Sequence, residues 1–146
     1  MYKKVLFATD FDAVGLNAAR KARKIADENN AELHLVHVIE PIPAYAYPGF
    51  AGFTEIELPI RERAEEELKK IGKELNVSEA CLHLELGSTK HEVLRVAKEL
   101  KVDLIVAGSH GKHGLMLLLG STANAIMHGA ECDVLIVRTE EHHHTK

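Results

Sequence analysis

The chain is poor in the features that mark several protein classes. Its two cysteines, Cys81 and Cys132, form no CxxC pair. That excludes a disulfide framework and a cysteine-based zinc site, and both read as buried thiols in a reducing compartment. The longest apolar run, Leu115 to Leu119, is five residues, far below the roughly 20 that a membrane-spanning helix needs. Positive charge is not in excess: 18 Lys and Arg stand against 22 Asp and Glu, a net charge of −4, and no basic cluster lies beside aromatics. The electrostatic footprint of a nucleic-acid binder is therefore missing. The N-terminal apolar stretch Val5-Leu6-Phe7-Ala8 reaches Asp10 too soon for a secretory leader. These absences predict a cytoplasmic protein with neither a nucleic-acid nor a membrane partner.

What is present is enough for one domain. The 146 residues are 46% hydrophobic and 27% charged, too apolar and too weakly charged for disorder. A chain of this size buries about two-thirds of its unfolded surface without a metal or crosslink. The expected division is a single domain over residues 1–140 and a flexible polar tail over 141–146, which carries His142-His143-His144.

Along the chain, strand-like and helix-like segments alternate. Val5 to Ala8 is a short apolar run. Asp12 then stands where a helix cap would, opening a helix to about Asn30 with Val14, Ala18, Ala22, Ile25 and Ala26 on one face. Leu33 to Ile39 reads as a second strand. Pro41 to Gly52 holds three of the four prolines and reads as a long loop. A charged helix follows from about Thr54 to Leu75, starting or breaking at Pro59. Cys81 to Leu86 alternates leucine with polar residues, as an edge strand with one wet face would. Thr89 and Glu92 have capping-box spacing, and Val93, Val96, Ala97 and Leu100 form an apolar helical stripe. Asp103 to Ala107 is a fourth strand. Ser121 is placed to cap a last helix carrying Ala123, Ile126, Met127 and Ala130, and Val134 to Val137 is a fifth strand. Strict β–α alternation predicts an α/β fold: a parallel sheet with helices on both faces, joined by right-handed crossovers.

In such sheets ligands sit beyond the carboxyl ends of the strands, at a topological switch point. Three segments occupy such ends: Ala8-Thr9-Asp10, Val38-Ile39-Glu40, and Ala107-Gly108-Ser109-His110-Gly111. The third continues through Gly114 to Gly120-Ser121-Thr122, bare backbone and hydroxyls at a helix start, a place that attracts phosphate. No Walker loop and no GxGxxG is present, and neither is the GxSxG of a hydrolase. His110 and His113 lack nearby cysteine or acidic residues to complete a metal set. Gly87 and Arg138 stand where a receiver domain would need its phospho-accepting aspartate and its lysine, which excludes that fold's chemistry.

Four features in order, Lys3-Lys4-Val5-Leu6 with Thr9-Asp10, His37-Val38, Gly108-Ser109-His110-Gly111, and Gly120-Ser121-Thr122 followed by Asp133 to Val137, carry a resemblance over residues 2–138. The chain resembles the universal stress proteins of the small single-domain type. The resemblance implies a Rossmann-like three-layer sandwich, a five-stranded sheet of order 3-2-1-4-5 with four helices. It also implies a homodimer through the fifth strand and an adenine nucleotide (ATP, ADP or AMP, with or without Mg²⁺) bound for signalling, with at most slow hydrolysis. By position, Ala8 and Thr9 would line the pocket by backbone. Asp10 would lie near ribose, phosphates or Mg²⁺, and Val38 would bond adenine through its main chain. Ala107, Gly108 and Gly111 would contact ribose and phosphate, with His110 beside phosphate. Gly120, Ser121 and Thr122 would hold phosphates. Nucleotide-binding members space their second and third glycines by nine residues; here eight separate Gly111 from Gly120. The alternative is a dimeric interaction module of the same fold that binds no nucleotide.

Overall fold

The computed structural model describes residues 1–10, 15–41, 54–109 and 121–138, with the backbone alone for 54–57. Within them lie five strands, β1 (Lys4–Ala8), β2 (Glu32–Ile39), β3 (Leu82–Leu86), β4 (Leu104–Gly108) and β5 (Asp133–Val137). Four helices alternate with them: α1 (Leu16–Asn29), α2 (Thr54–Glu74), α3 (Thr89–Leu100) and α4 (Ser121–Gly129). All strands are parallel, in the order β3-β2-β1-β4-β5. The expected α/β class and strand order are both met.

Apart from Lys4 and Glu32 at their starts and His34 and His37 within β2, the central strands carry apolar residues, because both faces are covered. Val5, Leu6, Leu35, Val36, Ile105 and Val106 are 0% exposed, and full burial of such a side chain contributes roughly 1.5–3 kcal/mol. Strand alternation sorts them into two cores. Val5, Phe7, Leu33, Leu35, Leu104 and Val106 pack under α1 and α2. Leu6, Val36, Val38 and Ile105 pack under α3 and α4. The α1 face is built of Ala18, Ala19, Ala22 and Ala26, so that helix lies close against the sheet.

Several local expectations are corrected. α1 begins at Leu16 with Gly15 as its N-cap, and Asp12 and Val14 lie outside the described residues. Its C-cap is Asn30, whose left-handed φ of 55° turns the chain so that the next N–H, of Ala31, reaches the Ala26 carbonyl at 2.8 Å. α2 runs straight through Pro59, losing one main-chain bond without breaking. The capping box at Thr89 is not formed: the N-cap is Ser88, without a side-chain bond, and Glu92 pairs with Arg95 instead. Ser121 is already a helical residue of α4, not its cap. Cys81 and Cys132 are partly exposed free thiols and not buried ones. Burial and the carboxylates of Asp133, Asp103 and Glu131 push the Cys132 thiol up, away from reactivity.

β3 is the edge strand, as its alternation suggests, and its polar side is partly covered and partly wet. His83 stacks on His34 of β2, and Glu85 pairs with Arg95 of α3 at 2.9 Å. α3 borders that side, so the period-two pattern reflects polar contacts with β2 and α3 as well as solvent. β5 reads as a buried run, yet as the opposite edge its Val134, Leu135 and Ile136 are only half-buried. Among the described residues, no helix is long and apolar enough to cross a membrane.

Candidate functional site

β1 and β4 are neighbours in the sheet. The chain leaving β1 enters α1 on one face, and α4, which follows β4, lies on the other. The crevice between their carboxyl ends is the topological switch point of this sheet. The structure brings Ala8-Thr9-Asp10 and Ala107-Gly108 together there, with Val38 alongside on β2. Ser121 and Thr122 open α4, whose N-terminus presents main-chain donors and a positive dipole end. His110, Gly111 and Gly120, with the Leu115–Leu119 run and the Pro41–Gly52 loop beyond Pro41, lie outside the described residues.

Three strands, β1, β3 and β4, carry their ladders one residue past their ends. Thr9 N–H donates to the Val36 carbonyl, Gly87 N–H to Ile39, and Ser109 N–H to Val137, all at 2.9 Å. The Thr9 amide is thus engaged inside the sheet, which narrows its expected backbone role to the carbonyl. That carbonyl in turn accepts a 2.7 Å bond from His37 Nδ1. A carbonyl can only accept, so the imidazole carries its proton on Nδ1. Successive main-chain groups of β2 face opposite neighbours: Val36 turns its carbonyl to β1, Ile39 to β3. Val38, two residues from Val36, turns its main chain toward β1 at the level where β1 has ended at Ala8. The residue expected to bond a base therefore faces the crevice.

Asp10 lies against the start of α1: a Cβ added at Gly15 would stand 3.5 Å from its Oδ1. A carboxylate there is favoured by the helix dipole, at the same place where it would meet a ligand. Glu40, just beyond β2, accepts a 3.0 Å bond from the Thr89 N–H of α3. It supplies the cap that Ser88 does not. Among the described residues no group of three or more His, Cys, Asp or Glu could hold a metal ion.

The contributions of His37 and Glu40 were not assigned from sequence. His37 had a signal, a polar residue in register with core-facing Leu33 and Leu35 on β2. Glu40 had none beyond its place at a strand end.

The comparisons with known proteins agree with this geometry. The model of the universal stress protein family matches residues 1–138. Universal stress protein A homolog 2 of Coxiella burnetii is 41% identical over 142 residues, covering 94% of this chain and 95% of that protein. Among solved structures, hypothetical protein MJ0577 superposes with a TM-score of 0.82 at 28% identity, over 97% of this chain and 99% of that one. A universal stress protein in complex with cAMP superposes with a TM-score of 0.60 at 27% identity, over 95% and 98%. Sheet order, the crevice between β1 and β4, and relatives matched over nearly their whole length converge: the chain belongs to the universal stress protein family.

Proposed function

We propose that the crevice binds an adenine nucleotide and that the protein signals through its loaded and unloaded states. The observation that carries this reading is the direction of Val38: its main chain faces the gap left where β1 ends, as a base-binding edge must. The base would lie along Val38, with the ribose between Asp10 and Ala107-Gly108. The phosphates would reach the N–H groups and hydroxyls of Ser121 and Thr122, with His110, Gly111 and Gly120 alongside. The cAMP-bound relative supports the ligand class. A Mg²⁺ arriving with the phosphates would meet Asp10. No step beyond binding is assigned, because Asp10 is the single candidate base that the sequence offers.

The same reading takes residues 1–140 as one cytoplasmic domain that dimerises through β5. The half-buried Val134, Leu135 and Ile136 support it, since an apolar edge strand invites pairing. The non-binding interaction module remains the second reading, on the strength of the eight-residue spacer from Gly111 to Gly120.

Calorimetric titration of nucleotide-free protein with ATP, ADP and AMP, with and without Mg²⁺, separates the two. Micromolar affinity, worth about 8 kcal/mol, is expected. Absence of heat for all three would leave the interaction module. Gly120→Val should abolish binding by crowding the phosphates. Sedimentation should show twice the chain mass.

A further inference from the structure

Two features of β2 meet at one atom. In a parallel ladder, a residue whose main chain faces its neighbour donates and accepts across to two positions of that neighbour. Thr9 donates to Val36, so a ladder carried one step on would bring the Val38 N–H to the Thr9 carbonyl. That carbonyl is held by the His37 imidazole at 2.7 Å. His37 is partly buried and follows Leu33 and Leu35 along the face packed under α1 and α2. The bond therefore crosses from β2 to the first residue past β1, immediately before Asp10.

We infer that His37 is a positioning residue of the nucleotide site, holding the Thr9 carbonyl so that the Val38 main chain is kept for the adenine base. It acts through Thr9 and does not touch the ligand. The inference rests on the nucleotide reading above and specifies which end of the ligand it serves. An imidazole suits the task because Nδ1, bonded directly to Cγ, reaches a carbonyl on the adjacent strand from a fixed ring. Asparagine carries its amide nitrogen on Cγ as well, whereas glutamine places it one bond farther out, near the reach of Nε2.

The test uses the full chain and three ligands that share the base but differ in phosphate: adenosine, AMP and ATP. Calorimetry on His37→Leu should show all three weakened by the same factor, about tenfold for one lost positioning bond. His37→Asn should return affinity to within about threefold of wild type, and His37→Gln should not. Equal binding by wild type and His37→Leu overturns the inference and leaves the nucleotide reading standing. A loss that grows from adenosine to ATP also overturns it, by moving the effect to the phosphates. So does an Asn variant no better than the Gln variant, and that pair decides the matter if His37→Leu shows no cooperative thermal transition. A wild-type protein that binds none of the three overturns the nucleotide reading and this inference together.

Discussion

At the amino ends of β1 and β4 the chain answers its own main-chain donors with side chains. Asp103 Oδ2 accepts from the N–H groups of Lys3 and Lys4 at 2.7 and 2.9 Å. Lys4 Nζ donates to the Leu100 carbonyl at the end of α3, the Tyr2 hydroxyl to Asp133, and the Tyr2 N–H to Asn29. One strand over, His34 is 6% exposed and links Glu32 to His83, 3.0 Å on each side. At the carboxyl ends, side chains of β2 and its exit order the turns through His37 and Glu40, and α4 opens on Ser121 and Thr122. The same sheet is thus stitched shut at one end and built as a crevice at the other. Substitutions at the amino ends should lower stability and spare binding, whereas those at the crevice should do the reverse.

The largest effect is expected at His34. The Glu32 carboxylate only accepts, so His34 Nε2 donates to it, and Nδ1 is left to accept from His83 Nε2 in the neutral pair. His34→Ala removes a buried ring and strands the His83 donor, at a cost of about 2–4 kcal/mol. Urea denaturation measures it. Nucleotide affinity of the folded fraction should be unchanged, and a parallel loss of affinity would break the contrast between the ends. Asp103→Ala comes next, at about 1–2 kcal/mol for two charge-assisted bonds to amides near the surface, with the same readouts.

Acid should act on the same end. Burial, and then the His34 charge, lower the His83 pKa below its ordinary value, against a smaller opposing effect of Glu85. A histidine depressed in the folded state contributes stability that is complete above its unfolded value, near 6.5. That stability is lost as pH falls through the lower folded value. Glu32 is held down by its bond from His34, and Asp103 by the N–H groups of Lys3 and Lys4. Their contributions are present above the ordinary carboxylate range and fade only as pH falls below it. Urea midpoints should therefore drop in two stages, and His83→Gln should flatten the first. An unchanged slope between pH 7 and 5.5 in that variant would remove the histidine pair from the account.

The fold was legible because apolar periodicity records burial directly. β1, β2 and β4 are buried on both faces, and their sequences are apolar runs interrupted inside by His34 and His37 of β2 alone. Legibility failed where a polar residue contacts another element: His83 and Glu85 look like a solvent face alone and also meet β2 and α3. Alternation reports polarity, not what supplies it. The crevice positions Ala8, Thr9, Val38, Ala107 and Gly108 stand at strand ends that periodicity locates, whereas the strand order that makes those ends adjoin was implied by the family resemblance. The partners of His37 and Glu40 are set by turns between elements, Thr9 28 residues away and Thr89 49 residues away, and spacing along the chain carries no trace of them.

The smallest expected effect sharpens the contrast most. Every helix follows a strand of this parallel sheet and so starts at its carboxyl end; α3 and α4 do so on the same face, each with N-terminal N–H groups that no intrahelical bond engages. Glu40 already places a carboxylate on α3, at the Thr89 N–H. If that internal anion occupies α3, phosphates have α4 as their seat. Glu40→Gln keeps an oxygen acceptor but removes the charge, so stability should fall by only about 0.3–1 kcal/mol, read from thermal melts at low ionic strength. The ratio of ATP to AMP affinity should stay constant, because the phosphates lie elsewhere. A ratio that rises more than about threefold would mean that Glu40 had been repelling phosphate from a shared site, and the crevice would then use both helix starts.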